Sequence, residues 1–374
     1  MDKTQKVLIV RLSSMGDIVH SLPVALSLKS KYPDIFIGWA VEEDFKELLS
    51  AVPYIDRVYP LNTKRWRKDL GYNTLREILS AIKEIRDVDF DVAVDVQGLV
   101  KSGVVAYLSG APLRIGFSRA HARERMSALF INKEITPPAE LVHIIDQNLY
   151  LLKDITGDID SPDPRLFLQE KDELWAMGEL KRMGIMDSDL KVFITPGAGW
   201  ITKLWGPQKY RELVIELYKR YEARVILSGS YADRGLIEEI KEGISLPVSQ
   251  FIGSSIFQLM ALLKNVDLVI GGDTGPIHIA SALGIPTLSL YGPSAAKRSG
   301  PRGERHESVQ SDIQCSPCFG RECRLRRLKT RDSRLRFKEV PCMEAISIDS
   351  VKIKLEGIMS RMASYSVGDP THRA

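Results

Sequence analysis

The chain has 374 residues, of which 44% are apolar and 27% charged, with a net charge of +4. That length suits roughly two domains, and no stretch approaches the ~18 apolar residues of a membrane-spanning helix. The charged N-terminus and the short run Val7–Val10 do not make a signal-peptide core, so a cytoplasmic protein is expected.

The first apolar run, Val7–Arg11, reads as a strand and feeds Leu12-Ser13-Ser14-Met15-Gly16-Asp17, then a helical pattern. Strand, tight turn and helix open a doubly wound α/β domain, and such domains bind ligands beyond the carboxyl ends of their strands. Asp17 there is either a helix cap or a general base that takes a proton from an attacking hydroxyl. Ser13, Ser14 and Gly16 make the loop around it small, polar and open at the backbone. Further strands are expected at Ile35–Val41, Val58–Pro60, Val92–Val96 and Arg114–Gly116. The spacing of Leu75, Ile78, Leu79, Ile82 and Ile85 predicts an amphipathic helix over Thr74–Arg86 with these five on one face. Lys64-Arg65-Trp66-Arg67-Lys68 is a cationic cluster with an aromatic, and Arg119, Arg123 and Arg125 form another. Arginine suits bidentate recognition of carboxylates and phosphates, so the first half should hold an anionic acceptor. No helix-turn-helix, RRM or zinc-finger pattern is present, and nucleic acid is not an expected partner.

Ser161-Pro162-Asp163-Pro164 is a turn-rich connector, and a charged helix follows at about Glu170–Met183. The expected division is a first Rossmann-like domain over 1–165 and a linker with connecting helix over 166–190. A second Rossmann-like domain over 191–347 and a C-terminal helix and tail over 348–374 complete it. In the second half, strands are expected at Val192–Thr195, Arg224–Leu227, Leu268–Ile270 and Thr287–Leu290. Helices are expected at Pro207–Tyr221, Tyr231–Glu242 and Ser255–Lys264. This alternation argues for parallel sheets with crossover helices. The stretch Ile348–Met362 has helical spacing and should pack back on one of the domains, and the last dozen residues read as disordered.

Two more turns carry chemistry. Leu268–Gly272 runs into Asp273-Thr274-Gly275-Pro276-Ile277-His278. Its glycines admit a ligand close to the backbone, Pro276 suits a first helical turn, and the amides that follow would face an anion. His278 is either a structural hydrogen-bonding residue or a donor to the ligand. The segment Thr195-Pro196-Gly197-Ala198-Gly199-Trp200-Ile201-Thr202-Lys203 again follows a strand, and Lys203 is a mobile charge able to neutralise a departing diphosphate. Together these turns describe nucleotide-linked group transfer.

All four cysteines are late: Cys315, Cys318, Cys323 and Cys342. The first pair has metal-ligand spacing, but the loose remainder favours reduced structural or redox-responsive thiols over a zinc or iron–sulfur site. Between Arg321 and Lys338 nine basic residues face two acids, so this stretch carries +7 and the remainder of the chain −3. It is either a solvated loop or a docking patch for phosphates or a membrane surface.

Several motifs together resemble the lipopolysaccharide heptosyltransferases, glycosyltransferase family 9, most closely their heptosyltransferase I branch. They are Ser13-Ser14-Met15-Gly16-Asp17, Trp39-Ala40-Val41-Glu42-Glu43, Arg65-Trp66-Arg67-Lys68, Asp95-Val96-Gln97-Gly98-Leu99-Val100-Lys101-Ser102, Lys203-Leu204-Trp205, Asp273–His278 and Tyr291-Gly292-Pro293. The cysteine segment ending Pro341-Cys342-Met343 looks more like the heptosyltransferase II branch. The resemblance implies a GT-B fold, two Rossmann-like domains facing a central cleft, with acceptor on the first and nucleotide sugar on the second. It implies inverting, metal-independent transfer of heptose from ADP-L-glycero-D-manno-heptose to the Kdo region of the inner core, with no cofactor. Asp17 would be the base, Lys203 the catalytic cation at the diphosphate. Ser13, Ser14, Gly16, Thr195, Gly197, Ala198, Gly199, Asp233, Ser254, Asp273, Thr274, Gly275, Pro276 and His278 would surround the donor. Lys64, Arg65, Arg67, Lys68, Gln97, Lys101 and Arg123 would hold the anionic lipid-linked acceptor. A monomer in peripheral contact with the anionic inner leaflet is expected. Two departures stand out: Ala198 and Gly199 occupy positions where family members carry hydroxyl residues, and the donor-side acid is Asp233 rather than Glu. Three other readings share these features: a family 9 transferase with another donor, a GT-B-type sugar-nucleotide epimerase, and a non-catalytic binder docked through the basic segment.

Overall fold

The apolar runs form two separate six-stranded sheets, every neighbouring pair parallel. The computed structural model describes residues 6–69, 71–157, 161–325 and 340–368. Residues 326–338 of the basic run and the last residues, 369–374, lie outside the described residues. The chain divides into two units, Met1–Phe167 and Leu168–Ala374.

The first sheet is built from β1 (Lys6–Val10), β2 (Phe36–Glu42), β3 (Arg57–Leu61), β4 (Val92–Asp95), β5 (Leu113–Phe117) and β6 (Lys133–Ile135), in the order β3-β2-β1-β4-β5-β6. Strands of a parallel sheet are covered on both faces, so the inner ones read as unbroken apolar runs rather than alternating ones. Leu8 and Val10 of β1 pack, with Ala93 of β4, against Ile85 of the helix Tyr72–Arg86 and Val105 of the helix Val100–Leu108.

The second sheet contains β7 (Lys191–Thr195), β8 (Arg224–Gly229), β9 (Val248–Ile252), β10 (Leu268–Gly272), β11 (Thr287–Tyr291) and β12 (His306–Gln310), in the order β12-β11-β10-β7-β8-β9. Its core joins Ile194, Ile270 and Leu288 to Leu213 and Leu217 of the helix Pro207–Tyr221 and to Val351 and Leu355 of the helix Ile348–Gly368. The helix Glu170–Arg182 packs on the helix Ile256–Lys264 within this same unit. Among the described residues no helix is long and apolar enough to cross a membrane.

Counted from its own first strand, each sheet has the same order, and each reverses direction once: between β1 and β4, and between β7 and β10. This is the doubly wound α/β architecture expected from the alternation of elements. Three strands lacked a signal in the sequence, β6, β9 and β12. All are edge strands, half wetted and therefore free to carry polar residues. Three expectations need correction. The helix Tyr72–Arg86 buries Thr74 and Ile85 but leaves Leu75 and Leu79 exposed, because the packed face runs through Thr74, Ile78, Ala81 and Ile85 and the two leucines lie beyond its edge. Tyr231–Asp233 is a separate 3-10 turn ahead of the helix Arg234–Lys241. The C-terminal helix runs on to Gly368, into the stretch expected to be disordered.

Candidate functional site

In an open α/β sheet the crevice outside the carboxyl ends of the strands, where strand order reverses, is the ligand site. Both carboxylate turns stand at such a reversal. Asp17 follows β1 and the Gln97–Lys101 segment follows β4; the Thr195–Lys203 segment follows β7 and Asp273 follows β10.

At the first reversal Asp17 lies in the first turn of the short helix Met15–Val19, where its Oδ2 accepts from the Ser14 amide (3.2 Å) and hydroxyl (2.9 Å). It is therefore a cap, and more. Its Oδ1 pairs at 2.8 Å with Nη2 of Arg11, a guanidinium only 3% exposed whose Nη1 donates to the Val96 carbonyl at 2.6 Å. Arg123 approaches Oδ2 at 3.5 Å from an exposed position. Burial pushes the Asp17 carboxyl up, but the two guanidiniums, Arg11 before Arg123, outweigh it and hold the group well below the usual carboxylate range. Asp17 stays ionised and 26% exposed.

The β4 end shapes this pocket. Asp95 is buried and accepts from the amides of Gln97 (2.9 Å) and Gly98 (3.1 Å) and from the Ser102 hydroxyl (3.0 Å). Burial pushes its carboxyl up to about 6, against those hydrogen bonds. Gly98 turns with φ +66, and a Cβ there would press on the backbone of Ala122 and Arg123. Glu124 N–H donates to the Gly98 carbonyl at 2.9 Å, so this turn delivers Arg123 to Asp17. Gln97 is buried; its Oε1 accepts from Leu12 N–H at 2.8 Å and its amide nitrogen donates to Ser13 at 3.4 Å.

Of the cationic residues, Lys101 is held by Glu42, which is buried at the end of β2. It accepts from Lys101 Nζ at 3.0 Å and from the amide (3.0 Å) and hydroxyl of Thr63, which opens the turn Thr63–Trp66. Lys64 pairs with Asp44 at 2.6 Å and Arg65 with Glu77. Arg67 Nε donates to the Thr63 carbonyl at 3.3 Å, and Lys68 is exposed.

At the second reversal Asp273 is the hub. Its carboxylate receives Lys203 Nζ at 2.6 Å on Oδ2 and His278 Nε2 at 3.0 Å on Oδ1, and its carbonyl accepts from Lys203 at 2.9 Å. Burial pushes the Asp273 carboxyl up; the His278 hydrogen bond and charge, and Lys203, more than offset this and hold it far below the usual range. His278 is itself buried. Thr274 is the N-cap of the helix Gly275–Ala282, with Pro276 in its first turn, so the first amides are open to an anion. Asp233 lies against the Gly197 backbone: a Cβ on Gly197 would stand 2.5 Å from its carboxyl carbon. Ser230 donates to Asp233 through its amide (2.8 Å) and hydroxyl (2.6 Å). Ala198 and Gly199 continue the same loop, and Ser254 stands in the connection between β9 and the helix Ile256–Lys264.

The cysteine segment supports this loop. Thr202 donates to the Gly320 carbonyl at 2.9 Å, and the Trp200 ring carries Lys203 at 4.7 Å and Arg321 at 5.1 Å. All four cysteines are free. Burial, and the neighbouring Cys318, Cys315 and Cys323, push the Cys342 thiol up to about 11. Among the described residues no group of three or more His, Cys, Asp or Glu side chains is arranged to hold a metal ion.

Arg11, Glu42 and Asp95 are parts of the site to which the sequence alone assigned no role, although Glu42 and Asp95 stand within the motifs that carry the family resemblance. Each is a charged residue closing an apolar strand at its carboxyl end, and that position is the signal that could have found them.

A family model described as glycosyltransferase family 9 (heptosyltransferase) matches residues 78–329. Lipopolysaccharide heptosyltransferase 1 of Pseudomonas aeruginosa is 30% identical over 370 residues, covering 95% of this chain and 98% of that protein. The Escherichia coli K12 protein of the same name is 28% identical over 291 residues, covering 77% and 88%. Among solved structures, E. coli heptosyltransferase WaaC with ADP superposes with a TM-score of 0.73 at 23% identity over 94% of this chain and 99% of that one. A glycosyl transferase family 9 structure from Veillonella parvula gives 0.79 at 18% identity, over 96% and 99%. At these identities the two structures speak to the fold.

Proposed function

This chain belongs to glycosyltransferase family 9, the heptosyltransferases, and from that premise we propose that it moves heptose from ADP-L-glycero-D-manno-heptose to the Kdo region of the lipopolysaccharide inner core. The observation that carries the site assignment is that each doubly wound unit presents a charge-held aspartate turn at its strand-order reversal. The first unit is the acceptor domain and the second the donor domain.

The acceptor hydroxyl attacks the anomeric carbon as the bond from that carbon to the ADP oxygen breaks, with inversion. Asp17 takes the hydroxyl proton. Its low pKa keeps it in the accepting form but makes it a weak base. Arg123 resolves that tension: exposed and at 3.5 Å, it is the guanidinium an anionic acceptor would draw off, leaving Asp17 more basic. Arg67 and Lys68 bind acceptor anions beside it, while Glu42 fixes Lys101 and the Thr63–Trp66 turn. Gln97 positions the Ser13-Ser14 loop. The departing ADP gains charge, met by Lys203 and the amides that open the helix Gly275–Ala282, preorganised donors of the kind that stabilise developing anions. Asp273, itself held by His278, orients Lys203. Because these groups supply the positive charge, transfer proceeds without a metal, and chelator should leave the rate unchanged.

The enzyme works at the cytoplasmic side of the inner membrane, as a monomer in peripheral contact with the anionic leaflet that carries its acceptor. One observation favours a second reading within the family, another nucleotide sugar: Ala198 and Gly199 offer no hydroxyl, and Asp233 is a short acid packed on Gly197. The test is calorimetry with ADP, GDP, UDP and CDP, then turnover of ADP-heptose with Kdo-lipid A. Selective ADP binding with heptose transfer is expected; preference for another nucleotide would move the protein to a different donor.

A further inference from the structure

The helix Tyr72–Arg86 turns an apolar stripe outward. Tyr72, Leu75 and Leu79 stand at i, i+3 and i+7, one line along a helix, and are 75%, 53% and 60% exposed. Its other side packs Ile85 and Ala81 on the first sheet. A single exposed leucine is ordinary; three large apolar side chains in register on one helix form a patch of the kind that marks an interaction surface.

The charges around the stripe choose the partner. Arg76 lies within it, and Lys83 and Arg86 continue it toward the C-terminal end, all exposed. The cationic turn Thr63–Trp66 is pinned alongside, because Glu77 of the helix accepts from Arg65 and, at 3.1 Å, from the Trp66 ring N–H. From Lys64 to Arg86 there are seven basic residues and three acids, a net +4. An apolar stripe set among cations complements a surface that is apolar beneath and anionic above. Anionic lipid is such a surface: side chains such as Leu and Tyr enter the acyl boundary while Lys and Arg meet the headgroup phosphates.

We propose that the helix Tyr72–Arg86 is the membrane-docking surface of the first unit, inserting Tyr72, Leu75 and Leu79 into an anionic leaflet. This rests on the reading above that the acceptor is lipid-linked, and it places the contact on the helix beside the acceptor-binding cations rather than on the basic run 321–338.

The test is co-sedimentation of the full chain with vesicles of phosphatidylcholine, alone or mixed equally with phosphatidylglycerol. Wild-type protein should bind the anionic vesicles, more weakly as salt rises. The double variant Leu75→Ser/Leu79→Ser should bind them on the order of tenfold or more weakly, with an unchanged thermal melt because both positions are exposed. Arg76→Glu/Lys83→Glu should lose the preference for anionic over neutral vesicles. Equal vesicle binding by wild type and the leucine double variant, or no binding by either, would overturn the proposal. So would a wild-type dimer that the serine substitutions dissociate while vesicle binding persists, since the stripe would then cover a second copy. Heptose transfer to a deacylated, water-soluble Kdo acceptor should be the same in all variants. If wild type transfers nothing to that acceptor yet the vesicle results hold, the functional reading fails and the docking surface stands.

Discussion

The two aspartate turns look alike in sequence and sit at the same place in two sheets of the same order, yet their surroundings assign them different work. Asp17 is met by two guanidiniums of opposite character: Arg11 is buried and locked to the Val96 carbonyl, whereas Arg123 is exposed and reaches in from a loop. Asp17 Oδ2 thus meets, besides the Ser14 amide and hydroxyl, one exposed cation, the partner that the proposed acceptor would displace. Asp273 is sunk between Lys203 and His278, both oxygens committed, and His278 is buried behind it. On the proposed function, the contrast means that a carboxylate at a strand-order reversal acts on substrate where one of its partners is replaceable. With fixed partners it orients them instead.

The largest effect should come from Asp17→Ala. It should lower kcat by about 10²–10⁴-fold while leaving ADP affinity, read by calorimetry, unchanged; near-wild-type turnover would end the assignment of Asp17 as base. Lys203→Ala should cost about 10²–10³-fold in kcat/KM and weaken ADP binding as well, which separates the two turns by ligand. Asp273→Asn breaks a buried ion network, so the second unit should lose on the order of 3 kcal/mol of stability in a calorimetric melt. If that variant melted like wild type while losing turnover, Asp273 would be acting directly on substrate and the contrast between the turns would collapse.

Two pH measurements sharpen the comparison. Burial pushes the Asp95 carboxyl up to about 6, above its value in the unfolded chain. Ionising it is therefore harder in the folded state. Stability from this group is greatest below the unfolded value, falls as pH rises through about 4 to 6, and is level above. The decline should be on the order of 2–3 kcal/mol, and Asp95→Asn should flatten it in denaturant titrations. Asp17 has the opposite sign: its carboxyl is held below the usual range, so the acid limb of kcat/KM should lie below ordinary carboxylate values. Arg123→Ala, by removing one of the two cations, should move that limb to higher pH.

Much of the fold was legible from local pattern. The inner strands of both sheets announce themselves as apolar runs because both faces are buried, and the turn chemistry after β1, β7 and β10 marks candidate ligand loops without any knowledge of neighbours. The helix Tyr72–Arg86 shows where local pattern stops. Its period is correct, but period alone cannot tell how far around the helix the packed face reaches; Thr74 and Ile85 are buried and Leu75 is not. Gln97 shows the same limit at the site: its type suits ligand contact, yet its amide is taken up by Leu12 and Ser13.

By itself, then, the sequence determined nine of the twelve strands, most of the longer helices, three candidate ligand turns and the family to which they belong, because each depends on residues within a few positions of one another. The tertiary structure alone decided that β1 lies beside β4 and β7 beside β10, and so where the crevices open. It also decided that Arg11 and Arg123 converge on Asp17, that Glu42 ties Lys101 to Thr63, and that one helix keeps its leucines outside. Those are facts about which distant segments pair. They follow from backbone hydrogen bonding across a sheet and from charges forced to find partners when their strands are buried, and no local period encodes them.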